Sequence, residues 1–148
     1  SIIKPTKLYD RTDFTAIHGV RAEDVRDAPV FSEVWERIAA PFIGGCPVVA
    51  HNAAFDMGVL RAALSWYGLA AAGLRYFCSL RIARTAWREL PSHALPSLAA
   101  RFGIVYKAHD ALDDARTCGD IVNRAAERFG CADLGGLLRR AGTGFRTL

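Results

Sequence analysis

The sequence predicts an α/β domain, because short apolar runs typical of strands alternate with stretches of helical periodicity. The clearest strand signal is Val48–Ala50, which follows a glycine- and proline-containing turn and ends before Asn52. Apolar residues then recur at spacings of three and four from Phe55 to Tyr67, which predicts a helix directly after this strand. Arg75–Cys78 predicts a second strand, and helical spacing again follows it. Successive strand and helix units of this kind indicate a sheet flanked by helices.

Helical periodicity recurs in three further stretches. The first covers residues 28–40, and we expect four apolar side chains in it and one just after it to lie in the core: Phe31, Val34, Trp35, Ile38 and Phe42. The second is short, Leu95–Phe102, and ends at Gly103, a residue that tolerates left-handed backbone geometry. The third, Ala111–Phe129, is long and amphipathic. Each stretch therefore predicts a helix packed against the sheet.

Chain length and composition predict one domain followed by a short tail. A chain of 148 residues has the length of a single domain. Residues 130–148 are rich in glycine and hold few apolar side chains, which favours a linker or a loose terminal helix. We therefore predict one domain over residues 1–129 and a tail over residues 130–148.

Composition narrows the class of protein. Hydrophobic residues make up 51% and charged residues 23%, which is ordinary for a globular protein and argues against disorder. No apolar run approaches membrane-spanning length, and no export signal opens the sequence, so we expect a cytoplasmic protein without a membrane partner. A net charge of +4 is compatible with a phosphodiester substrate, because Lys and Arg neutralise phosphates.

The four cysteines show no zinc-binding arrangement. No Cys-x-x-Cys pair occurs, and no histidine stands near them at zinc spacing. We therefore interpret them as small buried hydrophobic residues: Cys46, Cys78, Cys118 and Cys131.

Two helix starts carry candidate functional residues. Asp56 falls in the first turn of the helix after Val48–Ala50, and open α/β sheets bind ligands at the carboxyl ends of their strands. A structural interpretation is also open, since the helix dipole favours an acidic residue there. At the second start, His109 stands five residues before Asp114. Between them, Asp110 and Asp113 have the spacing of a helix cap and its third-residue acid, which explains both by structure.

The stretches VAHNAAFD and HDALDDA together resemble the second and third motifs of the DEDDh (DnaQ-like) 3′→5′ exonuclease superfamily. This superfamily includes the proofreading epsilon subunit of bacterial DNA polymerase III. The resemblance extends from about Ile3 to Phe129 and implies a ribonuclease H-like mixed sheet flanked by helices. It also implies site residues: Asp56 and Asp114 as metal ligands, His109 as general base, and His18, Asn52 and Phe55 as substrate contacts.

One motif of the superfamily has no counterpart. Its members carry an Asp-x-Glu pair on the first strand of the sheet, and no Asp-x-Glu occurs in this sequence. We therefore expect the first strands to be missing, which corresponds to roughly 20–30 residues. The two Mg²⁺ or Mn²⁺ ions of the superfamily are expected only together with that motif. A sheet without its first strands leaves an edge unpaired, so association or domain swapping is left open.

The resemblance implies an enzyme. Hydrolysis of a phosphodiester by two divalent ions requires hard oxygen ligands and an activated water, which aspartates and a histidine supply. We expect a 3′→5′ exonuclease that acts on single-stranded DNA or RNA ends in DNA replication or repair, with a polymerase or helicase subunit as partner. Two alternatives stay open: a nucleic-acid-binding module without catalysis, and an interaction domain that has kept the fold.

Overall fold

The computed structural model describes residues 2–6, 12–71 and 73–148. Its helices are α1 Thr12–His18, α2 Ala22–Val25, α3 Phe31–Val34, α4 Ala40–Ile43, α5 Ala53–Trp66, α6 Ser79–Ala86, α7 Leu95–Phe102, α8 Ala111–Phe129 and α9 Leu134–Arg140, with a π-helical turn at Trp35–Ala39 between α3 and α4. Its strands are β1 Val48–Ala50, β2 Arg75–Cys78 and β3 Arg146–Thr147.

The strands form a mixed three-stranded sheet with β2 in the centre. β1 pairs with β2 in parallel, with Val48 opposite Tyr76, and β3 pairs with β2 in antiparallel orientation, with Thr147 opposite Arg75. Parallel neighbours need a crossover connection, and α5 provides it. The predicted architecture, a mixed sheet flanked by helices, is confirmed.

The core lies on both faces of the sheet, because successive residues of β2 point to opposite sides. Phe77 joins a cluster with Ile82, Leu98, Ile121 and Leu137, which lie on α6, α7, α8 and α9. On the other face, Tyr76 joins a cluster with Trp35, Met57, Leu64 and Leu74. Each buried aliphatic or aromatic side chain contributes about 1.5–3 kcal/mol relative to exposure. The sheet is therefore held between two apolar layers.

The stretch 28–40 differs from its prediction. Instead of one regular helix that ends near Ala40, the chain forms α3, the π-helical turn and α4 over residues 31–43. A π turn contains more residues than an α turn, so the residues within it and after it change their angular position on the helix. The predicted core positions Ile38 and Phe42 are accordingly 55% and 89% exposed, whereas Val34 and Trp35 are buried as predicted.

Residues 130–148 contain α9 and β3, which pack on α8 and on the sheet. Leu137 and Leu138 on α9 are buried, and β3 adds a strand beside β2. The Asp133 carboxylate accepts the Gly136 N–H at 2.7 Å and caps α9, so Gly135 and Gly136 lie in a capped first helical turn. In residues 2–6, 12–71 and 73–148, no helix is both long enough and apolar enough to span a membrane.

Candidate active site

A cavity of about 460 Å³ lies at the carboxyl end of β1, next to the starts of α5, α7 and α8. Asp56, His109 and Asp114 all line it, although 53 residues separate the first two in the chain. The other lining residues are Val49, Ala50, His51, Leu95, Pro96, Tyr106, Ala111, Ala115 and Cys118. The structure therefore brings together the three residues that the sequence motifs select, and their catalytic roles stay predictions.

Asp56 reaches the cavity because the chain turns sharply after β1. Asn52 has a φ of 67°, in the left-handed region that asparagine tolerates better than most residues. α5 then begins at Ala53, which is buried, and its first turn carries Asp56 at the edge of the cavity. Within the described part of the chain, the exposed Asp56 side chain forms no hydrogen bond or ion pair. This carboxylate is available to a ligand.

Asp114, in the first turn of α8, has a fixed partner. Its Oδ1 accepts a hydrogen bond from the Tyr106 hydroxyl at 2.5 Å. Burial and this carboxylate together raise the pKa of Tyr106 to about 12. The phenol therefore stays protonated and acts as the hydrogen-bond donor. One oxygen of Asp114 is therefore oriented by Tyr106.

The loop that carries His109 is held by the two acidic residues beside it. Asp110 caps α8 by accepting the N–H groups of Leu112 and Asp113 at 3.1 and 3.2 Å, as its position predicts. Asp113 does not return its carboxylate to the cap but accepts the Lys107 N–H at 3.1 Å. His109 itself has a φ of 65° and is exposed. The loop is thus fixed on both sides of the imidazole.

His51, which sequence reasoning missed, lies between α5, α6 and α7. Its Nε2 is 2.9 Å from the His93 carbonyl oxygen and its Nδ1 is 2.9 Å from the Ser79 hydroxyl. With the proton on Nε2, the ring donates to the carbonyl and accepts from the hydroxyl. Burial lowers the pKa of His51, which favours this neutral form. The feature of the sequence that could have identified His51 is its position as a polar residue directly after the predicted strand Val48–Ala50.

The predicted substrate contacts are not gathered in the cavity. Asn52 lines a neighbouring cavity, described below, and Phe55 is 70% exposed at the surface of α5. His18 ends α1, and its Nδ1 accepts the Val20 N–H at 3.0 Å. Neither Phe55 nor His18 lines either cavity. Their roles in substrate binding stay predictions.

The cysteines differ from one another in exposure. Cys118 is buried beside Ser79, with 3.1 Å between the sulfur and the hydroxyl oxygen, and burial raises the pKa of its thiol to about 11. This thiol stays protonated and is a poor nucleophile. The expectation that all four cysteines are buried is wrong for Cys46, which is exposed because it follows the Gly44–Gly45 turn after α4.

The cavity provides few ligands for a metal ion. The carboxylates of Asp56 and Asp114 are hard oxygen ligands, and Mg²⁺ is commonly held by one or two carboxylates together with water. Over residues 2–6, 12–71 and 73–148, no group of three or more His, Cys, Asp or Glu side chains is placed to hold an ion. The residues present therefore fit one partly hydrated divalent ion and do not provide ligands for two.

Comparison with known proteins supports the resemblance to the exonuclease superfamily. The family model described as Exonuclease, RNase_T, matches residues 1–122. The chain is 32% identical over 126 residues to the DNA polymerase III subunit epsilon of Escherichia coli, covering 80% of this chain and 51% of that protein. It is 30% identical over 115 residues to the 3′-5′ exonuclease DinG of Staphylococcus saprophyticus, covering 77% of this chain and 13% of that protein.

The fold has a match among solved structures. It superposes on exonuclease X in complex with 5′ overhanging duplex DNA with a TM-score of 0.64 and 20% identity, over 95% of this chain and 78% of that one. The chain spans about half the length of the epsilon subunit and a smaller share of DinG. The resemblance seen in the sequence motifs is confirmed, and the chain belongs to the Exonuclease (RNase_T) family.

Proposed function

We propose that this chain acts as a 3′→5′ exonuclease domain that removes nucleotides from the 3′ end of a DNA strand. The observation that carries this proposal is the shared cavity of Asp56, His109 and Asp114 in a member of the Exonuclease family. Relatives named as a DNA polymerase subunit and as a 3′-5′ exonuclease support the polarity and the choice of DNA. The proposal extends to a role in DNA replication or repair in the cytoplasm, beside a polymerase or helicase subunit, and the relative named as a DNA polymerase subunit supports it.

Each residue has a distinct part in this proposal. Asp56 and Asp114 hold the divalent ion, Mg²⁺ or Mn²⁺, since their carboxylates face the same cavity. When bound, such an ion stabilises negative charge on the oxygens of the phosphate under attack. Tyr106 keeps the Asp114 carboxylate in one orientation through its hydrogen bond.

His109 is the general base of the proposed mechanism. Its imidazole accepts a proton from the water that attacks the phosphate. Because His109 is exposed, it can release that proton to solvent afterwards. The bonds of Asp110 and Asp113 to the surrounding backbone hold the loop so that the imidazole stays at the cavity.

The proposal is tested by the rate of nucleotide release from a single-stranded oligodeoxynucleotide in the presence of Mn²⁺. His109→Ala should lower turnover by about 10²–10⁴-fold, the usual contribution of a positioned base. Asp120→Ala is the control, because Asp120 is an exposed residue of α8, the helix that follows the His109 loop, and lines neither cavity. Equal rates for His109→Ala and the control would contradict the assigned role.

A second function, binding of nucleic acid without catalysis, is favoured by one observation. The described residues offer two carboxylates at the cavity and no larger cluster of ligands. A protein that binds the oligodeoxynucleotide tightly but releases no nucleotide at saturating Mn²⁺ would establish this alternative and exclude the exonuclease.

A further inference from the structure

A second cavity of about 590 Å³ lies beside the candidate active site. The two cavities share His51 and Leu95 as a common wall. The remaining lining residues come from the starts of α5 and α6 and from the loop before α7: Asn52, Leu80, Arg84, Pro91, Ser92, His93 and Ala94. A ligand that extends out of the first cavity past His51 enters the second.

The two cavities carry opposite charge. Asp56 and Asp114 are the charged groups of the first, and Arg84 is the charged group of the second, with histidines counted as neutral. His51 interacts with both sides, since the Arg84 guanidinium lowers its pKa and the Asp56 carboxylate raises it, while burial has the largest effect. The change of sign therefore occurs across a single imidazole.

Two side chains of the second cavity are without partners in the part of the chain that the structure describes. Arg84 forms no ion pair there, and the Asn52 amide forms no hydrogen bond. Another arginine shows the contrast, since Arg128 on α8 pairs with Glu89 at 3.1 Å. A guanidinium and an amide without protein partners are ready donors for an anionic ligand.

The helix starts around the second cavity add to its positive potential. Ala94 precedes α7, and Leu80 is the second residue of α6. Neither of these two helices has a side chain that caps its first N–H groups or an acidic residue in its first turn, whereas α8 and α9 are capped by Asp110 and Asp133. Uncapped helix starts favour negative charge. Together with Arg84, they give the cavity the chemistry of a phosphate site.

We propose that the second cavity binds a backbone phosphate of the same DNA strand whose 3′ end lies in the first cavity. Arg84 is its charged contact, and the Asn52 amide donates a hydrogen bond. This inference rests on the proposed exonuclease function, because it takes the strand to be the ligand of the first cavity. A strand needs cations beyond the cleavage site, since each of its phosphates is negative.

The inference is tested with Arg84→Gln and the control Arg81→Gln. Both arginines are exposed on α6, and Arg81 lines neither cavity. Binding of a fluorescent single-stranded oligodeoxynucleotide is followed by anisotropy, in EDTA and at several salt concentrations. Arg84→Gln should weaken binding about tenfold and reduce the slope of log K against log salt by about 1. Arg84→Lys should keep the slope while losing part of the affinity, because it keeps the charge but not the fork geometry.

Three results would overturn the inference. If Arg84→Gln and the wild type have the same affinity and salt slope and both hydrolyse the strand, phosphate binding in the second cavity is refuted. The proposed exonuclease function is then unaffected. If Arg84→Gln binds deoxyadenosine 5′-monophosphate more weakly but binds the oligodeoxynucleotide as the wild type does, the second cavity is a site for the nucleotide product instead. A wild-type protein that neither binds nor hydrolyses the oligodeoxynucleotide would refute the proposed function and this inference with it. Circular dichroism of each variant verifies that it is folded.

Discussion

The two helix starts that carry the aspartates of the cavity are built differently. At α5, Asn52 takes a left-handed conformation and gives no side-chain cap, and Asp56 has no hydrogen-bond partner in the part of the chain that the structure describes. At α8, Asp110 caps the helix, and Tyr106 binds the Asp114 carboxylate. Two acids in equivalent first turns therefore differ in their support: Asp114 is held by a hydrogen bond, and Asp56 has none within the described residues. In the proposed metal site, Asp114 is therefore oriented by the protein, whereas Asp56 lacks such a partner.

The largest effect expected from this difference concerns Tyr106. Tyr106→Phe removes the hydrogen bond that orients Asp114 but keeps the ring, so Mn²⁺ affinity should fall by roughly 10- to 100-fold, as is usual for a lost outer partner of a ligand. Calorimetric titration with Mn²⁺ measures the change. Tyr67→Phe is the control, because Tyr67 packs against Phe31 away from the cavity. Unchanged affinity in Tyr106→Phe would show that Asp114 needs no support.

A smaller effect is expected from the helix caps. Asp110→Ala removes two hydrogen bonds from the start of α8 and should lower the free energy of unfolding by about 1 kcal/mol. Asn52→Gly should cost less, because Asn52 contributes no cap bond and glycine adopts a positive φ without strain. Urea denaturation compares the two variants. A larger loss in Asn52→Gly than in Asp110→Ala would mean that the start of α5 is held by its side chain after all.

The sequence predicts well what depends on local periodicity. β2 and α8 have the predicted bounds, and β1 lies where the apolar run after Gly44 and Gly45 places it. The motif spacing selects Asp56, His109 and Asp114, which do meet in one cavity. These features could be predicted because the periodicity of strands and helices, and the turns between them, depend on residues that are neighbours in the chain.

The sequence did not predict features that depend on contacts between residues far apart in the chain. Tyr106 meets Asp114, and His51 meets Ser79 and His93, through loops whose shape no repeat encodes. The π-helical turn leaves apolar spacing intact while exposing Phe42. Residues 130–148 pack because a few leucines meet α8, although their glycine content is typical of a linker. In each case tertiary packing, and not local preference, decides the outcome.

The smallest expected effect is on the pH dependence of stability. Burial lowers the pKa of His51 below its ordinary value of 6.5, so the unfolded chain binds a proton more readily than the folded one. Stability should therefore fall as the pH decreases below 6.5, and the fall should level off below the folded pKa. His51→Gln should show a weaker decrease over the same range, measured by urea denaturation at each pH. A steeper decrease in His51→Gln than in the wild type would contradict a neutral, buried imidazole.

Titration of this chain with Mn²⁺, by calorimetry or by electron paramagnetic resonance, tests most directly the claim that Asp56 and Asp114 form one site. We predict a single weak Mn²⁺ site in the wild type, because two carboxylates at the cavity are few ligands for two ions. Asp56→Asn and Asp114→Asn should each abolish binding of that same ion, since each removes one of its two anionic ligands. Two tight sites in the wild type, or an affinity that either variant leaves unchanged, would contradict the account.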